Sequence, residues 1–202
     1  MRTWAIVVAA GSGSRFGGAK QLEDLHGLPL WKAATTALIE GGVERVILVG
    51  EAAGGVPGGR RRQDSVANGL LHVPTSVDFI LVHDAARAAA TANLVRAVIA
   101  RLTEGDVDAV VPALPVRDTI RRVDGEEAKG TVDRSNLVSV QTPQGFRTLA
   151  LREVHATQWD DVTDDAQMIE RAGGRVVIVP GEPTNLKVTY PEDLRILREV
   201  TK

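Results

Sequence analysis

The chain predicts an α/β fold: a mostly parallel sheet with helices on both faces, plus a protruding β-arm. Three observations carry this. Short apolar runs at 4–9 (WAIVVA), 45–50 (RVILVG) and 79–82 (FILV) alternate with segments of helical period, the order in which parallel sheets are built. The runs are apolar at successive positions rather than at every second one, as strands buried on both faces must be. Between Pro115 and Asn136 the alternation stops, and the chain turns polar, rich in Arg and Asp, with no helical repeat.

Taken in order, the first strand at 4–9 runs into a loop of small residues and glycines. The segment 29–40 reads as a helix, with Pro29 near its start and Gly41-Gly42 at its end, the usual placing of these two residue types. The strand at 45–50 leads to a Gly- and Pro-rich loop over 54–59, then to Arg60-Arg61-Arg62-Gln63-Asp64-Ser65 and a helix over 64–72. The strand at 79–82 ends in His83-Asp84-Ala85-Ala86-Arg87. Thr91 is a suitable N-cap for a helix whose apolar face is Leu94, Val95, Val98, Ile99 and Leu102, closed by Gly105. A strand at 109–113 precedes the polar excursion over 115–136. Alternation resumes at 137–141. Helices follow at 148–159 and 164–172, the latter closed by Gly173-Gly174, then a last strand at 175–179 and a helix from Pro191. There is no repeat, low-complexity tract or linker, so residues 1–202 read as one domain.

Composition narrows the function. The chain has 202 residues, 44% of them hydrophobic and 25% charged, enough for a real core and ordinary for a globular protein. A formal charge of −2 argues against a nucleic-acid partner, whose binders carry a basic surface. With no cysteine, disulfides, thiolate metal sites and a cysteine nucleophile are excluded. No apolar run reaches the ~20 residues of a membrane span. The first strand begins directly after Met1-Arg2-Thr3, so no signal peptide is expected and a cytoplasmic setting is the default.

The loop after the first strand, Gly11-Ser12-Gly13-Ser14-Arg15-Phe16-Gly17-Gly18-Ala19-Lys20-Gln21, suits phosphate. Small residues let an anion approach backbone N–H groups, and two cations add charge, Arg15 as a planar fork and Lys20 as a mobile point. The dinucleotide fingerprint G-x-G-x-x-G fails at Phe16, and a Walker loop fails because Ala19 intervenes and Gln21 replaces the magnesium-binding hydroxyl. Asp84 stands at the carboxyl edge of the sheet, where ligands bind in open α/β folds, and a carboxylate facing a phosphate loop suits Mg²⁺. Taken alone, an Asp there equally caps the next helix. Thr163-Asp164-Asp165 reads as a helix N-cap with acids in the first turn, His83 as structural, and Lys187 as a cation on a loop before Pro191.

The spacing G-x-G-x-R-(x)4-K-Q resembles the signature loop of nucleotidyltransferases. With Gly-Gly-x-x-Arg-x-x-Ser, His-Asp-Ala-Ala-Arg, Pro-Val-Arg-Asp-Thr, Val-Asp-Arg, Gln-Thr-Pro-Gln-Gly-Phe, Thr-Asp-Asp-Ala and Asn-Leu-Lys-Val-Thr following in order, the chain resembles the 2-C-methyl-D-erythritol 4-phosphate cytidylyltransferase family from about Ile6 to Leu194. The resemblance implies a Rossmann-like fold of the nucleotide-diphospho-sugar transferase type and a reaction of CTP with methylerythritol phosphate. It implies that Arg15, Lys20 and Lys187 act on the phosphates. Ala9, Ala10, Gly11, Gly13, Gly59, Arg62, Ser65, Asp84 and Ala85 would bind the nucleotide, with Mg²⁺ on Asp84. Arg87, Thr119, Arg134, Thr142 and Thr163 would bind the acceptor. It implies a homodimer with shared active sites, residues 115–136 being an arm exchanged between subunits so that Thr119 and Arg134 come from the partner chain. Its nearest alternative is the related ribitol-5-phosphate cytidylyltransferase, and a rival of another class is a catalytically silent nucleotide-binding module. Departures from the family pattern are Ala19 and Ala88 in place of prolines, Arg60 where an acid is common, and a short loop over 50–59.

Overall fold

Parity along the apolar runs decides which core each residue joins. The computed structural model describes residues 1–157 and 160–202. In chain order its elements are β1 (Thr3–Val8), the ribbon of β2 (Asp24–Leu25) and β3 (Leu28–Pro29), α1 (Leu30–Glu40), β4 (Arg45–Val49), α2 (Arg62–Leu70), β5 (Phe79–Asp84), α3 (Ala92–Thr103) and β6 (Ala109–Pro115). Then follow β7 (Ile120–Asp124), β8 (Glu127–Val132), β9 (Val138–Val140), β10 (Gln144–Arg147), α4 (Thr148–Ala156), α5 (Asp165–Arg171), β11 (Val176–Pro180) and α6 (Pro191–Val200). The main sheet runs β4-β1-β5-β10-β6-β11. Pairings β1–β4, β1–β5 and β6–β11 are parallel, and β10 is antiparallel to both its neighbours.

Trp4 and Ile6 of β1, with Ile80 and Val82 of β5, point to one face and pack with Val66 and Leu70 of α2, Leu151 of α4, and Met168 and Ile169 of α5. Ala5, Val7, Phe79 and Leu81 point to the other face and meet Leu38 of α1 and Val95, Val98 and Leu102 of α3. Each fully buried side chain of this size contributes about 1.5–3 kcal/mol. The two layers hold the strand ends still. A smaller cluster of Leu25, Leu30, Val188, Leu194 and Leu197 seats α6 beside the loop that carries Lys187.

Four expectations are corrected. β5 continues through Asp84 because that residue pairs with Val8, so Asp84 ends the strand rather than following it. α2 begins at Arg62, not at 64, because the Asp64 carboxylate is the third-position partner of a capping box and accepts the N–H of Arg61 at 3.0 Å; it closes at Leu70, short of 72. α4 closes at Ala156, and the last expected positions of that helix, Gln158 and Trp159, lie outside the described residues. Finally, β10 was not expected as a strand at all. The excursion does fold as a β-hairpin of β7 and β8, exposed at nearly every position, and returns through β9, which pairs antiparallel with the end of β6.

Candidate active site

A cleft of about 500 Å³ opens at the carboxyl ends of β1 and β5. Its first wall is the glycine loop. Gly13 stands there at φ 65°, and a Cβ on it would lie 1.8 Å from the Gly18 carbonyl oxygen, so only glycine fits. Its own carbonyl accepts the N–H groups of Phe16, Gly17 and Gly18 at 2.8, 2.9 and 3.2 Å. Those three amides are therefore committed to the loop, and the knot they tie leaves Arg15 exposed at the rim. Lys20 turns back, and its ammonium donates to the Val188 carbonyl at 2.6 Å. Burial lowers the Lys20 pKa, and the nearby Lys187 and Arg15 cations lower it further. Three positive charges thus converge on one side of the cleft.

Asp84 forms the floor. Its Oδ1 accepts from Arg62 Nε at 3.2 Å and its Oδ2 from Lys187 Nζ at 2.6 Å. Burial opposes its charge, but Arg62, Lys187 and Arg87 outweigh burial and hold the carboxyl well below the usual carboxylate range. Arg62, at the first turn of α2, also donates through Nη1 to Asp165 Oδ2 at 2.6 Å. Asp165 is fully buried and is held on its other oxygen by His155 Nε2 at 2.9 Å. Burial penalises the Arg62 cation, yet the two carboxylates raise its pKa above the ordinary value. A guanidinium clamped between two acids cannot rotate away, so it fixes the orientation of Asp84.

Behind the floor, the Thr142 hydroxyl accepts the Asp84 N–H at 3.0 Å and lies 2.8 Å from His83 Nδ1. Burial pushes the His83 pKa down to about 4; the ring is neutral near pH 7 and shares one hydrogen bond with the Thr142 hydroxyl. On the opposite wall Ser65 Oγ accepts the Gly59 N–H at 3.0 Å and donates to the Arg61 carbonyl at 3.2 Å. The hydroxyl of Ser65 thereby shapes the 59–62 turn.

Arg15, Lys20 and Lys187 all line this cleft with Ala9, Ala10, Gly11, Gly13, Gly59, Arg62, Ser65, Asp84 and Ala85. The expected acceptor residues are not gathered with them. Arg87 donates to the carbonyls of Asn185 and Val140 at 2.8 and 3.2 Å. Thr142 is buried behind the floor, Thr163 is exposed ahead of α5, and Thr119 and Arg134 lie on the exposed arm. Asp165 and His155 were missed as site residues, since a carboxylate in a first helical turn is already explained as a cap.

The lining holds cations, hydroxyls, backbone and one carboxylate, Asp84. No cluster of three metal-binding side chains exists among the described residues. A lone carboxylate fits a hard cation that takes its other ligands from phosphate and water, as Mg²⁺ does. Six cations, Arg15, Lys20, Arg60, Arg61, Arg62 and Lys187, line the cleft against that one carboxylate, so it suits anions whose charge must be neutralised.

A family model described as IspD: 2-C-methyl-D-erythritol 4-phosphate cytidylyltransferase matches residues 3–200. Among curated relatives, the bifunctional enzyme IspD/IspF of Solidesulfovibrio magneticus is 42% identical over 98% of this chain and 57% of its own length. The chain thus spans little more than half of that two-function relative. The 2-C-methyl-D-erythritol 4-phosphate cytidylyltransferase of Streptomyces avermitilis is 40% identical over 98% of this chain and 91% of its own length. Among solved structures, the 2-C-methyl-D-erythritol 4-phosphate cytidylyltransferase of Thermus thermophilus superposes with a TM-score of 0.83 at 32% identity, covering 97% of both chains.

Proposed function

The chain belongs to the 2-C-methyl-D-erythritol 4-phosphate cytidylyltransferase family, and on that premise we propose that it transfers the cytidylyl group of CTP to 2-C-methyl-D-erythritol 4-phosphate in isoprenoid precursor synthesis. The products are 4-diphosphocytidyl-2-C-methyl-D-erythritol and pyrophosphate. The observation that carries this reading is the convergence of Arg15, Lys20 and Lys187 on one cleft with Asp84 at its floor. An oxygen of the acceptor phosphate forms a bond to the α-phosphorus of CTP. The bond from that phosphorus to the bridging oxygen breaks, and the leaving pyrophosphate oxygen keeps the electron pair. The acceptor is already an anion, so no general base is needed.

Arg15 and Lys20 hold the triphosphate, and Lys187 neutralises charge that grows on the α-phosphate. The Ala9, Ala10, Gly11 and Gly13 backbone, with Gly59, Ser65 and Ala85, cradles the nucleotide, and Arg62 braces it. Asp84 would hold Mg²⁺, which would supply positive charge against the phosphates. Arg87, Thr142 and Thr163 belong to the acceptor side. Thr119 and Arg134 complete it from a partner subunit, the 115–136 arm being exchanged within a homodimer. The reading keeps the cytoplasmic setting expected from the sequence.

The test is CTP-dependent pyrophosphate release with each of two polyol phosphates. Release with methylerythritol phosphate, abolished by EDTA and restored by Mg²⁺, is the expected outcome. Release only with ribitol 5-phosphate would assign the acceptor differently. CTP binding without release from either would make the chain a silent binding module.

A further inference from the structure

Gln141 lies one residue past β9, where the arm re-enters the sheet, and is 5% exposed. Its backbone N–H donates to the Pro112 carbonyl of β6 at 2.7 Å. Its side-chain amide meets both backbone groups of one residue: Oε1 accepts the Glu182 N–H at 3.0 Å, and Nε2 donates to the Glu182 carbonyl at 2.9 Å. Oε1 also faces Asn185 Nδ2 at 3.4 Å. Asn185 is fully buried and donates through Nδ2 to the Thr142 carbonyl at 2.9 Å. Lys187 follows two residues later. The segment 181–186 has no helix or strand between β11 and α6; backbone bonds from Gly181 to Ala113 and from Asn185 to Glu182 hold it at 2.8 and 3.0 Å, and the Gln141 amide adds two more across to Glu182.

We propose that Gln141 is a positioning residue for the transfer reaction, seating the loop that carries Lys187 against the strand by which the arm returns. The proposal rests on the role assigned to Lys187 above. Lys187 ends in a half-exposed ammonium whose ion pair is with Asp84, so the backbone beneath it decides where that charge stands. A two-point amide lock holds the peptide units on both sides of Glu182, which a single hydrogen bond would not. Gly181 permits the approach: a Cβ there would stand 2.6 Å from Gln141 Oε1. Arg15 and Lys20 stand on a different loop, and the Val188 carbonyl that Lys20 meets belongs to a residue tied separately, its N–H donating to the Ala86 carbonyl at 2.9 Å, so the lock bears first on Lys187.

Gln141→Ala should lower kcat by about 10- to 100-fold, the scale of a small misplacement of a reacting group, with KM for CTP near wild type. The decisive comparison is with Lys187→Ala and the double variant. If Gln141 acts through Lys187, the double variant has the kcat of Lys187→Ala alone; independent effects would multiply. Lys187→Ala with wild-type kcat would refute the role of Lys187 itself. A slow Lys187→Ala combined with a fast Gln141→Ala, or with multiplied losses, would overturn the inference alone. Should Gln141→Ala not fold, as judged by its melting transition, Gly181→Ala keeps Gln141 and crowds the lock. It should show the same kcat-only loss, absent in the Lys187→Ala background, and a folded Gly181→Ala with wild-type kcat would likewise overturn the inference.

Discussion

His83 and Asp84 are adjacent in β5 yet meet opposite electrostatic conditions. Asp84 keeps its charge because two cations touch it, whereas His83 loses its charge because burial outweighs the Asp84 carboxylate. The sign of the His83 effect is definite. As pH falls through the ordinary value of 6.5 the unfolded chain takes up a proton that the folded chain refuses until about 4. Folding stability is therefore full above about 6.5 and falls on acidification across that window, by roughly 3 kcal/mol in all. His83→Asn keeps a polar partner for Thr142 and cannot titrate. Its melting temperature should fall less steeply than wild type between pH 7 and pH 4, and parallel slopes would contradict the account. The site cations were legible in the sequence because each stands on a loop next to a strand or glycine signal. Asp165 was not legible as the anchor of Arg62, because an anchor 103 positions away leaves no local mark.

At the scale of elements, β10 is the part that sequence periodicity could not supply. Its four residues, QGFR, are too few to display alternation, and only Phe146 is a large apolar group. What makes it a strand is tertiary: it fills the gap between β5 and β6 and pairs with both. Strands β1 and β5 were legible because buried runs such as AIVV and FILV persist long enough to read, whereas β9, exposed throughout, showed only as alternation. Gly145 is where α3 presses on β10; an added Cβ would come within 2.5 Å of Val98 Cγ1 and 2.7 Å of Leu102 Cδ1. Gly145→Ala should therefore cost about 1–3 kcal/mol by overpacking, a melting-temperature drop of roughly 2–12 °C for a chain of this size. Thermal unfolding followed by circular dichroism would measure it, and an unchanged transition would show that α3 has room to move.

At the scale of the whole molecule, the arm and the cleft give a complementation test of the exchanged-arm proposal. If each site joins Lys20 of one chain to Arg134 of the other, Lys20→Ala and Arg134→Ala homodimers should both be nearly inactive. An equal mixture, refolded together, should recover about a quarter of wild-type activity, since random pairing makes half the dimers mixed and each mixed dimer has one intact site. A mixture that exchanges subunits and stays inactive would place Arg134 in its own chain's site. The sheet order also has a consequence in time. Strand β5 is complete at residue 84, but its partner on one side, β10, begins only at residue 144. At about 5–20 residues per second, a growing chain carries that edge unpaired for several seconds. An apolar strand with a bare edge is a template for any other extended chain. A nascent chain halted before residue 144 should therefore be far stickier than one halted after residue 147, once the missing strand can close the gap.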